Sequence, residues 1–137
     1  MSWILYTLLD ERSPPQNIDD LMSQVETEFS RSKDFCAKFE RPPLSRNKSI
    51  RLQWGTWSAD LHYTDGEQAM ENIVEIKRRL GDNAPSGLEG RARYVYAVFG
   101  ADPDDAHVNQ SVALMQFLEG IQGAIVFDPQ RNKFLSA

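Results

Sequence analysis

Three segments of the chain repeat apolar residues every three or four positions, the spacing of a helix that buries one face. The first follows Asn17, a residue type whose side chain can cap the start of a helix. The second begins near Thr64 and Glu67, which have the spacing of a capping box. The third opens with Asp102 as the cap and Pro103 at the first helical position. The apolar positions are Ile18, Leu21, Met22, Val25 and Phe29 in the first segment, Ala69, Met70, Ile73, Ile76 and Leu80 in the second, and Val108, Val112, Met115, Phe117 and Leu118 in the third.

Apolar runs rich in β-forming residues lie between these segments and predict strands. In the run 123–128, three consecutive β-formers load both faces of a sheet, which is typical of an interior strand. Pro129 cannot donate to a sheet hydrogen bond and should end that strand. The run 94–99 is equally apolar, and we expect it at the centre of the sheet beside the run 123–128. Further strands are predicted at 3–9, 35–39 and 133–135, with an exposed loop at 41–48.

A two-residue turn at Gly55 and Thr56 predicts a hairpin with a defined register. In that register the apolar residues of both strands share one face, and the polar residues share the other. Arg51 then lies opposite Asp60 on the polar face. The apolar pairs are Trp54 with Trp57, Leu52 with Ala59 and Ile50 with Leu61, joined by Tyr63, and the polar face also carries Gln53, Ser58 and His62.

Together these elements predict an α+β fold: a mixed, mostly antiparallel sheet of about five or six strands with three helices, in the order β-α-β-β-β-α-β-α-β. The 137 residues are enough for one domain with its own core, so residues 1–137 are expected to form a single unit. The one cysteine, Cys36, rules out an internal disulfide, and we expect it to be a small buried side chain.

The net charge and the motifs of the sequence limit the classes of function that fit this protein. The net charge of −5 argues against a general nucleic-acid binder. The apolar N-terminal run lacks a basic region before it and is too short to span a bilayer, so we expect a cytoplasmic protein without a membrane partner. The sequence contains no Gly-rich phosphate loop, nucleophile elbow or HExxH pattern, and no cofactor is expected.

The histidines offer one candidate for chemistry. Asp60 and His62 are two apart on a predicted strand and share a face, where Asp65 or His107 could complete a metal site or a proton relay. Two histidines in the whole chain make a thin ligand shell, and a solvated polar face has the same appearance. We therefore expect no metal. No local signature of a nucleophile surrounds Cys36.

Charges are unevenly distributed along the chain. Residues 31–51 carry seven basic side chains against two acidic ones. With Phe35 and Phe39 between its charges, this basic segment could contact phosphate. It equally fits a solvated loop and an edge strand whose lysine hinders pairing with another chain. A helix dipole would stabilise the acidic group near the third helix. The acidic residues of interest are Asp60 and Asp65 around the hairpin, and Asp102, Asp104 and Asp105 before the third helix.

The strand-like run 91–99, the helix from Asp102 and the segment 120–130 follow one another in the last third of the chain. This part resembles the C-terminal portion of small bacterial immunity proteins, which accompany polymorphic toxins delivered by contact-dependent or type VI secretion systems. The resemblance implies a compact, cytoplasmic, often acidic protein without a cofactor, which acts by covering or distorting a toxin domain.

We therefore expect a non-enzymatic binding protein that neutralises a cognate, basic toxin domain. Such an interface should combine acidic groups with aromatic anchors. One alternative is a small hydrolase or transferase that uses Asp60, His62 and His107. Another is a nucleic-acid-associated module that binds through residues 31–51. The predicted partner-binding residues are Asp60, Asp65, Asp102, Asp104, Asp105 and Trp57.

Overall fold

The computed structural model describes residues 3–41, 43 and 47–135. Part of the predicted loop at 41–48 lies outside these residues. The strands are β1 (Trp3–Leu9), β2 (Phe35–Glu40), β3 (Ser49–Trp54), β4 (Trp57–Asp65), β5 (Arg93–Phe99), β6 (Ile125–Asp128) and β7 (Lys133–Phe134). The helices are α1 (Ile18–Phe29), α2 (Gly66–Leu80) and α3 (Val108–Glu119), and a short 3₁₀ turn, Gly81–Asn83, follows α2.

The strands form one sheet in the order β2-β3-β4-β5-β1-β6-β7, and each neighbouring pair is antiparallel. The predicted α+β class with three helices is confirmed. The strand count is slightly higher than predicted, and the sheet is antiparallel rather than mixed. Strand β5 is central as predicted, but its neighbours are β4 and β1. The expected pairing of β5 with β6 is wrong, because β1 lies between them and is also apolar on both faces.

The predicted hairpin of β3 and β4 is confirmed in register. Trp54 lies opposite Trp57, and Arg51 lies opposite Asp60. Gly55 in the turn has a φ of 60°, a backbone conformation that glycine adopts without a steric cost. The hairpin therefore sorts its apolar side chains to one face of the sheet, as the alternation of the sequence requires.

Each face of the sheet carries a hydrophobic cluster. Helices α1 and α3 cover what we call the first face, and α2 covers part of the second face. The first-face cluster includes Leu5, Leu21, Val25, Leu52, Trp54, Trp57, Leu61, Val95, Phe99, Leu114, Leu118 and Val126. The second-face cluster is smaller and consists of Leu8, Ala69, Ile73, Ile76, Leu80, Leu88, Tyr94 and Phe127.

One of the three predicted helix starts agrees with the structure. The Asn17 side chain caps α1 by accepting from the backbone N of Asp20 at 2.8 Å, as predicted. Helix α2 starts after Asp65, whose side chain makes no cap bond, so the predicted capping box with Thr64 is wrong. Thr64 is instead part of β4, paired with Tyr94 of β5.

Helix α3 begins at Val108, several residues after the predicted start. Asp105 has a φ of 54°, which a right-handed helix cannot include, so residues 102–107 form a turn. The inward positions also differ from the prediction. Leu118 is buried as predicted, but Val108 and Val112 are exposed, and Leu114, which was not predicted, is buried. The prediction failed at these three positions because α3 is apolar on more than one side, and its spacing alone does not identify the buried side.

Two further expectations about burial are corrected. Cys36 is exposed, because strand alternation turns its side chain away from the first-face cluster that holds its neighbours Phe35 and Ala37. Met70 is 47% exposed, because it lies on the flank of α2 rather than on the side that contacts the sheet.

Candidate functional site

Helix α2 leaves part of the second face uncovered. Its buried residues pack against Leu8 of β1, Tyr94 of β5 and Phe127 of β6. Helix α2 contacts β4, from whose end it starts, but the second-face cluster of the described residues includes no residue of β2, β3 or β4. We call the uncovered part the open sheet face. It consists of Cys36, Lys38 and Glu40 from β2, Arg51 and Gln53 from β3, Ser58, Asp60 and His62 from β4, and Tyr96 and Val98 from β5, all exposed or half-buried.

A network of charged side chains crosses the open sheet face. Arg51 Nε donates to Asp60 Oδ1 at 3.1 Å and lies 3.5 Å from Glu40 Oε1. Lys38 Nζ lies 3.9 Å from the same Glu40 oxygen. The hydrogen bond to Asp60 is the main reason that the pKa of Arg51 is raised, and the charges of Asp60 and Glu40 add to it. With two positive and two negative groups, this part of the surface is electrically balanced.

Beside the charged network, an aromatic row continues from strand to strand. His62 pairs with Tyr96 and Tyr96 with Tyr6, with ring centroids 5.8 and 5.0 Å apart. Tyr6 pairs in turn with Phe127, and Phe127 with Phe134. Phe127 is buried beneath α2, whereas Tyr6, Tyr96 and His62 are half-buried. The row therefore runs from the core out onto the open sheet face.

The tyrosines of the row are polar at their tips but enclosed at their rings. Burial is the main reason that the pKa of Tyr6 is raised, and the neighbouring Tyr96 and Tyr94 raise it further. The positive charge of Arg79 on α2 acts in the opposite direction. The Asn72 side chain of α2 donates to the Tyr94 hydroxyl at 2.7 Å. Tyr94 in turn contacts Tyr6, with ring centroids 5.3 Å apart, so it links α2 to the aromatic row.

The acidic residues predicted to bind a partner do not gather at one point. Asp60 lies on the open sheet face, whereas Asp65 lies at the far end of β4, just before α2 and opposite Arg93. The turn with Asp102, Asp104 and Asp105 follows β5 at the other end of β4, since Gly100 N donates to Ser58 O at 2.9 Å. A nine-residue strand spans about 27 Å. The acidic groups therefore flank the sheet at both ends.

Trp57, the aromatic member of the predicted set, is 3% exposed. Its side chain lies on the first face, packs against Trp54 and Phe99, and donates from Nε1 to Gly100 O at 2.9 Å. In this position it is part of the core and does not present a surface to a partner.

The expected catalytic constellation does not form. His107 stacks on Trp57 with the ring centroids 6.0 Å apart, and its Nδ1 lies 3.1 Å from Asp102 Oδ1. Trp57 belongs to the first face, whereas Asp60 and His62 belong to the second, so the sheet separates His107 from the other two. In the part of the chain that the structure describes, no group of three His, Cys, Asp or Glu side chains could hold a metal ion.

Tyr6 and Tyr96 are the candidate residues that the sequence analysis missed. A signal was present, because tyrosines alternate with small apolar residues at Tyr94, Val95, Tyr96 and Ala97. That alternation indicates a strand with one face apolar and the other face partly polar. The overall apolar character of the segment concealed it.

Comparisons with protein-family models, with curated proteins and with solved structures find no significant match to this chain. Among the helices described by the structure, none has the length and apolar character needed to cross a bilayer.

Proposed function

We propose that this chain is a non-enzymatic cytoplasmic immunity protein, which neutralises a bacterial toxin domain by binding it through the open sheet face. The observation that carries the proposal is the surface itself: an antiparallel sheet that displays an aromatic row beside a charged network. Half-buried aromatic groups with polar tips are typical of the residues that contribute most to protein interfaces.

The size of the surface indicates how a partner would sit on it. At strand spacings of about 4.8 Å and about 3.4 Å per residue, the open sheet face covers about 300 Å². A stable protein interface buries about 800 Å² on each partner. A toxin domain would therefore extend beyond the open sheet face to the ends of β4, where Asp65 and the turn with Asp104 and Asp105 lie.

Charge supports a basic partner. The open sheet face is balanced, while acidic groups flank it and the whole chain carries −5. Such an arrangement steers a basic domain toward the surface and leaves the centre for close packing. The acidic residues would then act mainly on the association rate.

The nucleic-acid alternative loses support from contacts inside the basic segment. Lys48 Nζ lies 2.7 Å from Asp19 Oδ1 and 3.9 Å from the centroid of the Phe39 ring. Arg51 is bonded to Asp60. Lys38 lies 3.9 Å from Glu40, so three of the seven basic groups have acidic partners within the protein. The enzyme alternative loses support because the sheet separates His107 from Asp60 and His62.

The proposal is tested with a matched pair of glutamine variants and the toxin domain encoded beside the gene of this chain. Gln53 and Gln116 are both exposed, but Gln53 lies on the open sheet face and Gln116 lies on α3 in the opposite layer. A new arginine at Gln53 would meet a basic partner at the interface. We expect Gln53→Arg to weaken binding at least about tenfold and to abolish protection from growth inhibition.

The control is Gln116→Arg, which adds the same charge away from the interface and should bind and protect like the wild type. Equal binding by wild type and Gln53→Arg, with loss in Gln116→Arg, would reject the open sheet face as the contact surface. A neighbouring gene product that neither inhibits growth nor binds the wild-type chain would reject the immunity function.

A further inference from the structure

Strand β2 forms one edge of the sheet. In the part of the chain that the structure describes, β3 is its one strand neighbour, so the other side of β2 pairs with no strand. An edge strand of six residues presents a row of backbone donors and acceptors that a further strand can use.

The register identifies which backbone groups face outward. In a two-residue hairpin, the residues that flank the turn bond to each other, so Trp54 directs its backbone groups toward β4. Its neighbour Gln53 must then direct them toward β2, where it pairs with Cys36. Two hydrogen bonds agree with this alternation: Gly100 N to Ser58 O at 2.9 Å and Gly55 N to Asp34 O at 3.4 Å.

It follows that Cys36, Lys38 and Glu40 direct their backbone groups toward β3, while Phe35, Ala37 and Phe39 direct theirs outward. The N–H of Phe35 already donates to Ser32 O at 3.3 Å. Both backbone groups of Ala37 and of Phe39 are therefore directed toward the free edge.

The side chains around this edge have a definite pattern. Phe35 and Ala37 pack toward the first-face cluster, and Phe39 is an exposed ring on the same side. Lys38 stands on the other side, at the border of the open sheet face. Residues 31–41 carry four basic groups and two acidic groups, whereas the whole chain has a net charge of −5. A strand added here would meet apolar groups on one side and Lys38 beside Glu40 on the other. Arg31, Lys33 and Arg41 adjoin the two ends of β2 and give the segment 31–41 its net positive charge.

We propose that β2 binds an extended acidic segment of a partner protein as an additional strand of the sheet. The segment would alternate acidic residues, placed on the side of Lys38, with apolar residues, placed on the side of Phe35 and Phe39. Backbone hydrogen bonds to Ala37 and Phe39 would supply affinity, and the alternating side chains would supply selectivity. The evidence for this site is the strand edge and its local charge and does not depend on the toxin proposal, although Lys38 also belongs to the open sheet face.

The first arm of the test measures amide hydrogen exchange by NMR in the free protein. The amides of Cys36 and Lys38 should exchange slowly because they bond to β3, and those of Ala37 and Phe39 should exchange fast. Slow exchange at Ala37 and Phe39 in the free protein would mean that their amides are already engaged, and it would overturn the proposal.

The second arm uses a blocked peptide of about seven residues in which valine and glutamate alternate. Binding should slow exchange at Ala37 and Phe39. The same peptide with lysine in place of glutamate should bind at least about tenfold more weakly, as should the glutamate peptide with Lys38→Glu protein. Equal affinity for the two peptides, or binding without slower exchange at these amides, would overturn the proposal.

A pair of variants at one position isolates the backbone contact. Ala37→Pro removes an outward N–H and leaves the bonds to β3 in place, whereas Ala37→Val keeps the N–H and suits a strand. We expect the proline variant to lose peptide binding and the valine variant to retain it. Equal binding by both variants contradicts the proposal. If circular dichroism shows that Ala37→Pro is unfolded, the Lys38→Glu variant and the exchange measurement on the wild type decide the question.

Discussion

Trp54 and Trp57 show how strongly the role of a residue depends on the face to which it points. Both are almost fully buried, and each indole N–H finds an acceptor: Ser32 Oγ at 3.0 Å for Trp54 and Gly100 O at 2.9 Å for Trp57. The sequence predicted their pairing, because the hairpin register follows from local alternation. It could not distinguish a core role from a partner anchor, because that depends on helices placed over the face by distant residues.

Replacing either tryptophan with alanine should therefore destabilise the fold. We expect Trp54→Ala and Trp57→Ala each to lower the free energy of unfolding by about 3 to 5 kcal/mol, since a large buried ring leaves a cavity. Trp57→Phe keeps most of the apolar contact and should cost less. Urea unfolding measures the change, and a loss below about 1 kcal/mol in both alanine variants would mean that the face is not core.

Arg93 has a structural role that no local pattern predicts. Its Nη1 donates to Pro15 O at 2.6 Å and to the Tyr63 hydroxyl at 3.2 Å, and its Nη2 donates to Asp10 O. Arg91 similarly donates to Leu8 O and Gly123 O. These acceptors are far away in the sequence, so spacing alone could not reveal them. In this structure the two arginines join the start of β5 to the end of β1, the loop that follows it and Gly123.

Removing Arg93 should leave several carbonyl groups without their donor. We expect Arg93→Ala to cost about 2 to 3 kcal/mol of unfolding free energy, the usual range for charged hydrogen bonds to partly buried groups. Arg12→Ala is the matched control. Arg12 pairs with Asp10 but its side chain is 64% exposed, so its loss should cost less than about 1 kcal/mol. Equal effects of the two substitutions in thermal or urea unfolding would contradict the role of Arg93.

At the scale of elements, the sequence predicted what local geometry determines. The β3–β4 hairpin and the start of α1 were correct, because a turn or a cap residue acts on its immediate neighbours. The start of α3 was wrong, because Asp102 does not cap a helix. Its carboxylate accepts from the backbone N of His107 at 2.8 Å and holds the turn before the helix.

The turn gives the protein a predictable response to acid. Burial acts to raise the pKa of Asp102, but hydrogen bonds from the backbone and ring of His107, together with its charge, bring the pKa below the ordinary value of 3.8. A carboxyl group with a lowered pKa stabilises the folded state above its ordinary pKa, and that contribution is lost as the pH falls through the folded-state value.

We therefore expect the free energy of unfolding to fall less steeply in Asp102→Asn than in the wild type as the pH is lowered from about 5 to about 3. Urea unfolding across this pH range measures the slope. Asp104→Asn removes a negative charge from the same turn without touching the bonds of Asp102, and it serves as the control. Parallel curves for wild type and Asp102→Asn would contradict the stabilising role of the ionised Asp102.

At the scale of the whole molecule, the fold class could be predicted and the sheet order could not. Strands β1, β5 and β6 are all apolar on both faces, so no local pattern tells which of them are neighbours. The candidate surface was predictable in part. The polar side of the hairpin follows from alternation, whereas its exposure depends on where α2 crosses the sheet.

The central claim is that the open sheet face contacts the partner, and Cys36 provides the most direct measurement. This cysteine is exposed on that face, so its rate of alkylation reports whether the face is covered. Binding of the toxin domain should slow alkylation of Cys36, while a cysteine placed at Gln116 on α3 in a Cys36→Ser background should react at the same rate with and without the toxin. Unchanged alkylation of Cys36 under saturating toxin, with protection of the cysteine on α3, would contradict the account.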